Sequence, residues 1–304
     1  MTDTATSRPR SKAKAWIEAM RLRTLPVSIA GVVTGTGVAA YYHGFKTLPF
    51  LICLFFAIFA QIVSNFANEY FDYKNGLDRK GREGFRRGVT EGDISPRAML
   101  RATLGLLAVD CLLGLSLVYW GGLWMIPVGI AIAIFALAYS TGPYPLSHHG
   151  LGEIAVFIFF GIVPVVFTAY VQTQSWEMLK TALPLSAAIG LMGANVLIVN
   201  NYRDVEDDRA VGKRTSAVIL GRRTMSRIYC VNGFIALLLI EYATLAAVNY
   251  GWQIVALWYI NQHWILWQEM KQSDGAALNP LLGKTAMMMF WASIWLLIAL
   301  AASA

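Results

Sequence analysis

Charged residues are scarce in this chain of 304 residues, in which Asp, Glu, Lys and Arg together make up 14%. A soluble globular domain carries about 25% charged residues. Hydrophobic residues account for 57% of the sequence, and the mean hydropathy is +0.52. The composition therefore excludes an ordinary soluble protein. Because little sequence remains between the apolar runs, a separate soluble domain is not expected either.

Cysteine is also scarce. Cys53, Cys111 and Cys230 all lie inside apolar runs, and no two of them have the spacing of a metal-ligand pair. We expect small core residues here rather than a redox or zinc site.

The net charge of +7 comes from basic residues next to the apolar runs, where anionic lipid is the expected partner. The charge therefore does not indicate binding to nucleic acid.

Long apolar runs are abundant, and about 20 apolar residues span a bilayer as a helix. We predict nine spans, at about 24–43, 48–71, 98–119, 122–140, 153–172, 181–201, 226–248, 252–270 and 283–303. The predicted fold is an all-α integral membrane protein with a single polytopic domain over residues 24–304. Residues 1–23 are predicted to hold a disordered tail and an interfacial amphipathic helix, with Trp16, Ile17 and Met20 on its apolar face.

The positions of the basic residues predict the orientation in the membrane. Short loops rich in Lys and Arg stay on the cytoplasmic side. With nine spans and a cytoplasmic N-terminus, all of the 25 Lys and Arg residues except Lys46 and Lys180 fall on that side. We therefore predict a protein of the cytoplasmic (inner) membrane, with its N-terminus inside and its C-terminus outside.

Two acidic motifs end the second and the sixth predicted spans. They read Asn68-Glu69-Tyr70-Phe71-Asp72, with Asp78 beyond, and Asn200-Asn201-Tyr202-Arg203-Asp204, with Asp208 beyond. Four spans separate the motifs, so both are predicted to lie on the cytoplasmic side. This repeat indicates two four-helix units plus one further helix. Carboxylates beside lipid are costly, and such residues usually have a function.

Each motif offers oxygen ligands for a metal ion, and the predicted ligands are Asn68, Asp72, Asp78, Asp204 and Asp208. Two ligands in each motif are four residues apart and so share one helix face. Asn75-Gly76 can end the first helix and return Asp78 toward it. Glu206 and Asp207 point elsewhere and are predicted to be solvated. Such ligand sets suit Mg²⁺ that is also bound by substrate phosphate oxygens, one ion to each motif.

Basic residues follow both motifs and indicate an anionic substrate. We assign Arg87 and Lys213 to the binding of a diphosphate, because Arg binds phosphate oxygens bidentately and Lys acts as a point charge. Asn68 and Asn201 are assigned to the same substrate. With two Mg²⁺ ions these residues would neutralise a diphosphate and make it a better leaving group.

Three stretches around these motifs resemble a known family. They read RLRTLPVSIAGVVTGTGVA, AYSTGPYPLSHHGLGEIAVFIFFG and NNYRDVEDDRAVGKRTSAVILGRR. They are similar to the UbiA superfamily of intramembrane aromatic prenyltransferases, and most similar to its menaquinone branch, which prenylates 1,4-dihydroxy-2-naphthoate. The family pattern in the first motif is Asn-x-x-x-Asp-x-x-x-Asp. Here Gly76 stands at the last position, and Asp78 follows two residues later, as in the menaquinone branch.

The resemblance implies nine helices around a central cavity, with the motifs facing each other across two Mg²⁺ ions bound to a polyprenyl diphosphate. Ionisation of this substrate gives an allylic cation, which the aromatic acceptor attacks. With dihydroxynaphthoate the carboxylate and diphosphate are lost and demethylmenaquinol forms. Aromatic residues make up 12% of the chain and could shield the cation.

Some further polar residues have two interpretations each. Glu153 begins the fifth predicted span and could orient or deprotonate an acceptor hydroxyl; a Glu stabilised by the helix dipole is the alternative. Tyr139 ends the fourth span and could contact substrate, or be an interfacial Tyr. No metal is predicted at His148-His149, and Asp110 is expected to pair with polar neighbours in the bundle.

Other functions remain compatible with these residues. Within the superfamily, 4-hydroxybenzoate, homogentisate, haem O and chlorophyll synthases are alternatives, because the residues do not identify the acceptor. A membrane transporter is the alternative from another class, although transporters usually carry their acids near the bilayer midplane. A CDP-alcohol phosphotransferase would need four Asp residues in one tight motif, which this sequence lacks.

Overall fold

The computed structural model describes residues 11–80, 84–245 and 251–304, and these residues form helices, turns and loops without any strand. The helices are α1 (Lys12–Met20), α2 (Leu25–Tyr41), α3 (Thr47–Lys74), α4 (Gly88–Glu91), α5 (Pro96–Ser116), α6 (Val118–Gly121), α7 (Met125–Ala138), α8 (Gly152–Val156), α9 (Val163–Thr173), α10 (Leu179–Arg203), α11 (Val205–Ala210), α12 (Ser216–Thr244), α13 (Gly251–Gln272) and α14 (Asn279–Ala301). A π-helical segment, Phe157–Ile162, joins α8 to α9. The all-α class is thus confirmed. The disorder predicted for the N-terminal tail falls on residues 1–10, which lie outside the described residues.

Within the described ranges, seven helices are long and apolar enough to cross a membrane, and α7 is a shorter apolar helix of 14 residues. Each of the nine predicted spans coincides with helix. The chain is an integral membrane protein. The count of nine and the orientation stay predictions, because helix length and composition do not show where each helix end lies in a bilayer.

Both acidic motifs lie at the ends of long helices. Asn75 caps α3, and Gly76 has a φ of +68°, a left-handed conformation that glycine adopts without strain. The Leu77 amide then donates to the Asp72 carbonyl over 2.8 Å, as in a helix ending that turns the chain back. Asn75 and Gly76 therefore end this helix, as predicted from the sequence. The second motif ends α10, which Asp204 caps.

Helix α10 lies at the centre of the bundle, and small residues let its neighbours approach closely. A Cβ atom on Gly161 of the π-helical segment would lie 2.3 Å from the Gly190 Cα atom on α10. A Cβ on Gly35 of α2 would lie 2.5 Å from the Val165 carbonyl oxygen of α9. Small residues at such contacts are the usual means of close helix packing in membranes. This packing holds α10, and so the second motif, beside α2 and α9.

Asp110 lies in the middle of α5 and is buried. Its Oδ1 atom has no hydrogen-bond partner in the part of the chain that the structure describes. The polar pairing that we expected for this residue is therefore not seen at that oxygen.

Candidate active site

A polar cavity of about 1110 Å³ lies where α3 and α10 end. Most of the predicted site residues line it, namely Asn68, Asp72, Arg87, Tyr139, Asn201, Asp204, Asp208 and Lys213. The two motifs, far apart in the sequence, therefore share one cavity. Asp78 and Glu153 do not line it, although each contacts a residue that does.

Asp72 connects the two motifs. Its carboxylate is fully buried, and the Lys213 ammonium lies 2.7 Å from Oδ2 while His148 Nε2 lies 3.3 Å from Oδ1. Lys213 follows the second motif, and its backbone amide donates to the Asp208 carbonyl over 2.9 Å. A buried carboxylate is tolerated when charged and hydrogen-bonding groups surround it, which is the case here.

Asn68 lies one helical turn before Asp72, and two arginines hold its side chain. Its amide oxygen accepts from Arg21 over 2.7 Å and from Arg87 over 3.0 Å. Its amide nitrogen donates to Asp72 over 3.2 Å. The Asn68 oxygen therefore accepts hydrogen bonds from both guanidinium groups. Its bond to Arg87 holds that residue at the wall of the cavity.

Arg21 is a cavity residue that the sequence analysis missed. It follows α1 in a left-handed conformation with a φ of 54°. Trp16 of α1 packs edge-on against Phe66 of α3 with ring centroids 5.5 Å apart, and Asn65 donates to the Met20 carbonyl. These contacts dock α1 against α3 and bring Arg21 to the cavity. The amphipathic pattern of residues 11–23 predicted an interfacial helix, but it did not predict this contact with α3.

The second motif carries its own bidentate ion pair. Arg203 donates to both carboxylate oxygens of Asp204, over 2.6 Å and 2.8 Å, and also to Asn200 and Asn279 over 2.9 Å each. The Arg203 guanidinium lies 5.2 Å from the Phe85 ring centroid. Fork-shaped pairs of this geometry are the strongest hydrogen-bonded ion pairs in proteins. Arg203 therefore fixes the Asp204 carboxylate, a role that the sequence did not reveal.

The other acids differ in their surroundings. Asp78 Oδ2 lies 3.4 Å from Arg87 Nε, so Asp78 positions Arg87 from behind the cavity. Asp207 is buried and forms an ion pair with Arg79, whereas the Glu206 side chain is 69% exposed. The expectation that Asp207 is solvated was wrong, because the loop after α3 crosses over the second motif.

Arg86 and Arg87 are neighbours in the chain with different roles. Arg86 lies outside the spans and donates to Asp93 over 2.9 Å. This hydrogen bond to a carboxylate raises the pKa of Arg86. Arg86 is thus engaged within its own loop, while Arg87 is buried and lines the cavity.

Glu153 lies beside Tyr139 at the start of α8. Its Oε1 atom accepts from Asn201 over 2.9 Å and from Ser216. A Cβ atom on Gly152 would lie 3.6 Å from the Tyr139 hydroxyl, which shows how closely this segment approaches Tyr139. Ser216, at the start of α12, is a second contact that the sequence analysis missed.

A second, apolar cavity of about 1070 Å³ adjoins the polar one. The two share a boundary lined by Gln61, Ser64, Tyr139, Val156 and Phe160. Phe160 belongs to the π-helical segment, an irregularity that is frequent at functional sites. Beyond the boundary, the walls come from α3, α7 and α9. A ligand with a charged head and an apolar tail matches this pair of cavities.

Comparison with known proteins identifies the family. Residues 28–300 match the UbiA prenyltransferase family. The chain belongs to this family. It is 34% identical over 290 residues to the 1,4-dihydroxy-2-naphthoate octaprenyltransferase of Escherichia coli (strain K12), covering 90% of this chain and 91% of that protein. It is 38% identical over 214 residues to the enzyme of the same name from Mycobacterium tuberculosis, covering 70% and 72%.

Solved UbiA structures share the fold. A UbiA homolog from Archaeoglobus fulgidus bound to DMAPP and Mg²⁺ superimposes with a TM-score of 0.64 at 17% identity, over 93% of this chain and 99% of that one. The apo structure of a UbiA homolog from Aeropyrum pernix K1 gives 0.68 at 15% identity, over 88% and 97%. The arrangement of helices is therefore that of UbiA membrane proteins.

Within this UbiA fold, the chemistry of the cavity ligands can be compared with what Mg²⁺ requires. In the described ranges, no three His, Cys, Asp or Glu side chains gather into a metal cluster. Mg²⁺, however, is usually held by one or two carboxylates together with substrate phosphates and water. Asp72 of the first motif and Asp204 with Asp208 of the second are such carboxylates in the cavity lining. The residues fit an Mg²⁺ ion that arrives with a phosphorylated substrate.

Proposed function

We propose that this chain transfers a polyprenyl group from a polyprenyl diphosphate to 1,4-dihydroxy-2-naphthoate. The prenyl C1–O bond breaks and diphosphate leaves. The ring carbon that bears the carboxylate bonds to C1, and the carboxylate leaves as carbon dioxide, which gives demethylmenaquinol. The main support is a charged cavity that adjoins an apolar one, in a chain similar over most of its length to enzymes named for this acceptor.

The cations of the polar cavity are proposed to bind the diphosphate. Arg21 and Arg87 both reach Asn68, and Lys213 reaches Asp72, so all three meet on one wall of the cavity. Their charges are held in place by buried partners before substrate arrives. Fixed charges of this kind stabilise a developing anion without reorganising during the reaction.

We assign the metal-binding role to Asp72, Asp204 and Asp208, with Asn68 and Asp78 as further members of the two motifs, and expect one Mg²⁺ ion to each motif. When bound, Mg²⁺ would neutralise the diphosphate and make it a better leaving group. The Mg²⁺ and DMAPP bound by the Archaeoglobus homolog support this assignment. Three of these residues already have arginine partners: Asn68 accepts from two arginines, Asp78 lies behind Arg87, and Asp204 accepts from Arg203 through both oxygens.

Glu153 and Tyr139 are proposed to act on the acceptor. Glu153 does not line the cavity, but Asn201, which does, donates to one of its oxygens, as does Ser216. We propose that the carboxylate aligns a ring hydroxyl through Asn201, or accepts its proton when the acceptor reaches past Asn201. Tyr139 and Phe160 lie at the boundary between the cavities, where C1 of the donor would ionise. Aromatic faces stabilise a nearby cation.

We further propose that the protein lies in the cytoplasmic membrane, with this site facing the cytoplasm. The support is the Lys and Arg distribution. Fusions of alkaline phosphatase to the C-terminus and to residue 93 test it. The C-terminal fusion should be active outside the cell and the other inactive, and the reverse pattern would contradict the orientation.

The deciding experiment for function uses membranes that contain the protein, a labelled prenyl diphosphate and Mg²⁺. One arm receives 1,4-dihydroxy-2-naphthoate and the other 4-hydroxybenzoate. Product in the first arm alone is expected. Product only in the second arm would change the acceptor, and no transfer in either arm would refute the proposal.

A further inference from the structure

One acid of the first motif has no part in the proposed reaction. Glu69 follows Asn68 near the end of α3, and it is buried, with 1% of its surface exposed. Unlike Asn68 and Asp72, it does not line the polar cavity. A carboxylate buried to this extent is costly unless hydrogen bonds or charges compensate it. Its partners therefore indicate what it does.

A partner of Glu69 is the backbone at the start of α4. Its Oε1 atom accepts from the Val89 amide over 2.9 Å. A Cβ atom on Gly88 would lie 3.4 Å from the same oxygen, so the first residue of α4 also lies against the carboxylate. The amides at the start of a helix have no partner within it, and Arg87, which precedes α4, provides no side-chain cap. Glu69 supplies an acceptor for this helix end instead.

The segment that Glu69 holds follows directly on Arg87, which is buried and lines the polar cavity. The Arg87 Nη2 atom donates to Asn68 over 3.0 Å, and its Nε atom lies 3.4 Å from Asp78 Oδ2. Two consecutive residues of α3 thus hold both parts of this arginine, Asn68 the guanidinium and Glu69 the backbone that follows it. A long side chain keeps a defined place in a site only when such supporting contacts fix it.

Packing around α4 favours the same arrangement. Val89 and Ile94 are buried and pack with Phe66 of α3 and two alanines of α1 in one hydrophobic cluster. The Ile94 amide donates to the Gly88 carbonyl over 3.0 Å, which closes the turn after α4. The hydrogen bond to Glu69 is a buried polar contact at this apolar interface, and satisfied contacts of this kind specify one arrangement of a core.

We propose that Glu69 is a positioning residue, which holds Arg87 in the wall of the polar cavity through the backbone of α4. This inference rests on the proposed function, in which Arg87 binds the diphosphate. It adds a residue that acts on donor binding without contacting substrate. A displacement of about 1 Å is enough to weaken a group that must meet its ligand in a defined geometry. Loss of the Glu69 carboxylate should therefore weaken the binding of the donor and leave that of the acceptor unchanged.

Glu69→Ala and Glu69→Gln test the proposal, with Glu91→Ala as the matched control. Ala removes the acceptor, whereas Gln keeps one oxygen that the Val89 amide can reach. Glu91 belongs to α4 itself, but its carboxylate lies 3.5 Å from Arg86, and neither of these two residues lines the polar cavity. KM is measured with varied prenyl diphosphate and with varied acceptor. Both Glu69 changes are also made in an Arg87→Ala protein.

We expect Glu69→Ala to raise KM for the prenyl diphosphate by about 10- to 100-fold, as is typical when the partner of a ligand-binding residue is removed. KM for the acceptor should stay at the wild-type value. Glu69→Gln should show a smaller rise, and Glu91→Ala none. In the Arg87→Ala protein, Glu69→Ala should raise KM no further, because residues that act through one group are not additive.

An equal rise in KM for donor and acceptor would show that the change distorts the whole site, and would overturn the inference. An unchanged donor KM in Glu69→Ala, or a full further rise on top of Arg87→Ala, would overturn it as well. If Glu69→Ala does not fold, Glu69→Gln decides by the same criteria. A wild-type protein that transfers no prenyl group would instead refute the proposed function, so the two failures are distinguishable.

Discussion

Asp72 and Lys213 form the contact on which the polar cavity is built. The carboxylate is fully buried and the ammonium lies 2.7 Å away, so each compensates buried charge on the other, and His148 and Asn68 add further contacts to Asp72. Removing one partner of such a pair is far more disruptive than replacing both. The pair therefore keeps the two motifs together when no diphosphate is bound.

Asp72→Asn keeps the shape of this side chain and removes its charge. We expect prenyl transfer to fall by at least about 100-fold, because a group that holds metal and cation in place is lost. The labelled transfer assay measures this, with membrane insertion checked by immunoblot. Glu206→Gln, at an exposed acid of the second motif, is the control and should be fully active. An active Asp72→Asn enzyme would remove Asp72 from the proposed metal ligands.

Arg21→Lys tests the arginine that α1 brings to the cavity. A single ammonium cannot reproduce the planar fork of a guanidinium, so we expect KM for the prenyl diphosphate to rise about tenfold with a smaller change in kcat. Steady-state kinetics with a varied donor concentration measures KM and kcat separately. Arg97→Lys, at an exposed arginine, should leave both constants unchanged. A fall in kcat alone would contradict the binding role.

The sequence predicted the acids of the site better than their partners. Spacing and helix ends singled out Asn68, Asp72 and Asp204, which line the polar cavity, because both features are local. Arg21 lies 47 residues from Asn68 in the chain, and its contact depends on how α1 docks. His148 was predicted to hold no metal, and it lies against Asp72 because the turn before α8 folds over the end of α3.

At the scale of helices, hydropathy predicted where apolar helices lie, but not their irregularities. The predicted seventh span begins at about residue 226, whereas α12 begins at Ser216 and changes direction at Gly221, which has a φ of 78°. The π-helical segment has no signal in an apolar run, because its geometry follows from packing against α10. These irregularities nonetheless place Ser216 and Phe160 at the site.

Gly161→Ala tests that packing. Its added Cβ atom would lie 2.3 Å from the Gly190 Cα atom, so backbone would have to move. Overpacking of this kind costs about 1–3 kcal/mol, and we expect the melting temperature in detergent to fall by several degrees. Gly105→Ala is the control, because nothing lies within 4 Å of its added Cβ atom. Equal melting temperatures for both variants would contradict the close approach of the π-helical segment to α10.

At the scale of the whole molecule, the ion pairs within the site predict that the stability of the fold does not depend on bound Mg²⁺. Lys213 on Asp72 and Arg203 on Asp204 already compensate the carboxylates. We expect EDTA to abolish prenyl transfer and added Mg²⁺ to restore it, while the melting temperature changes little. Transfer that persists in EDTA would contradict the metal proposal. A large loss of stability would show that the ion pairs do not compensate the acids.

The boundary shared by the two cavities has a consequence for how the reaction ends. The proposed donor is an amphiphile, with its charged head among the cations and its tail between α3, α7 and α9. Transfer divides this amphiphile at the boundary. The prenylated ring no longer carries a group that the cations retain, so it partitions into lipid, while diphosphate partitions into water. Cleavage of one bond thus sorts the two products into different phases.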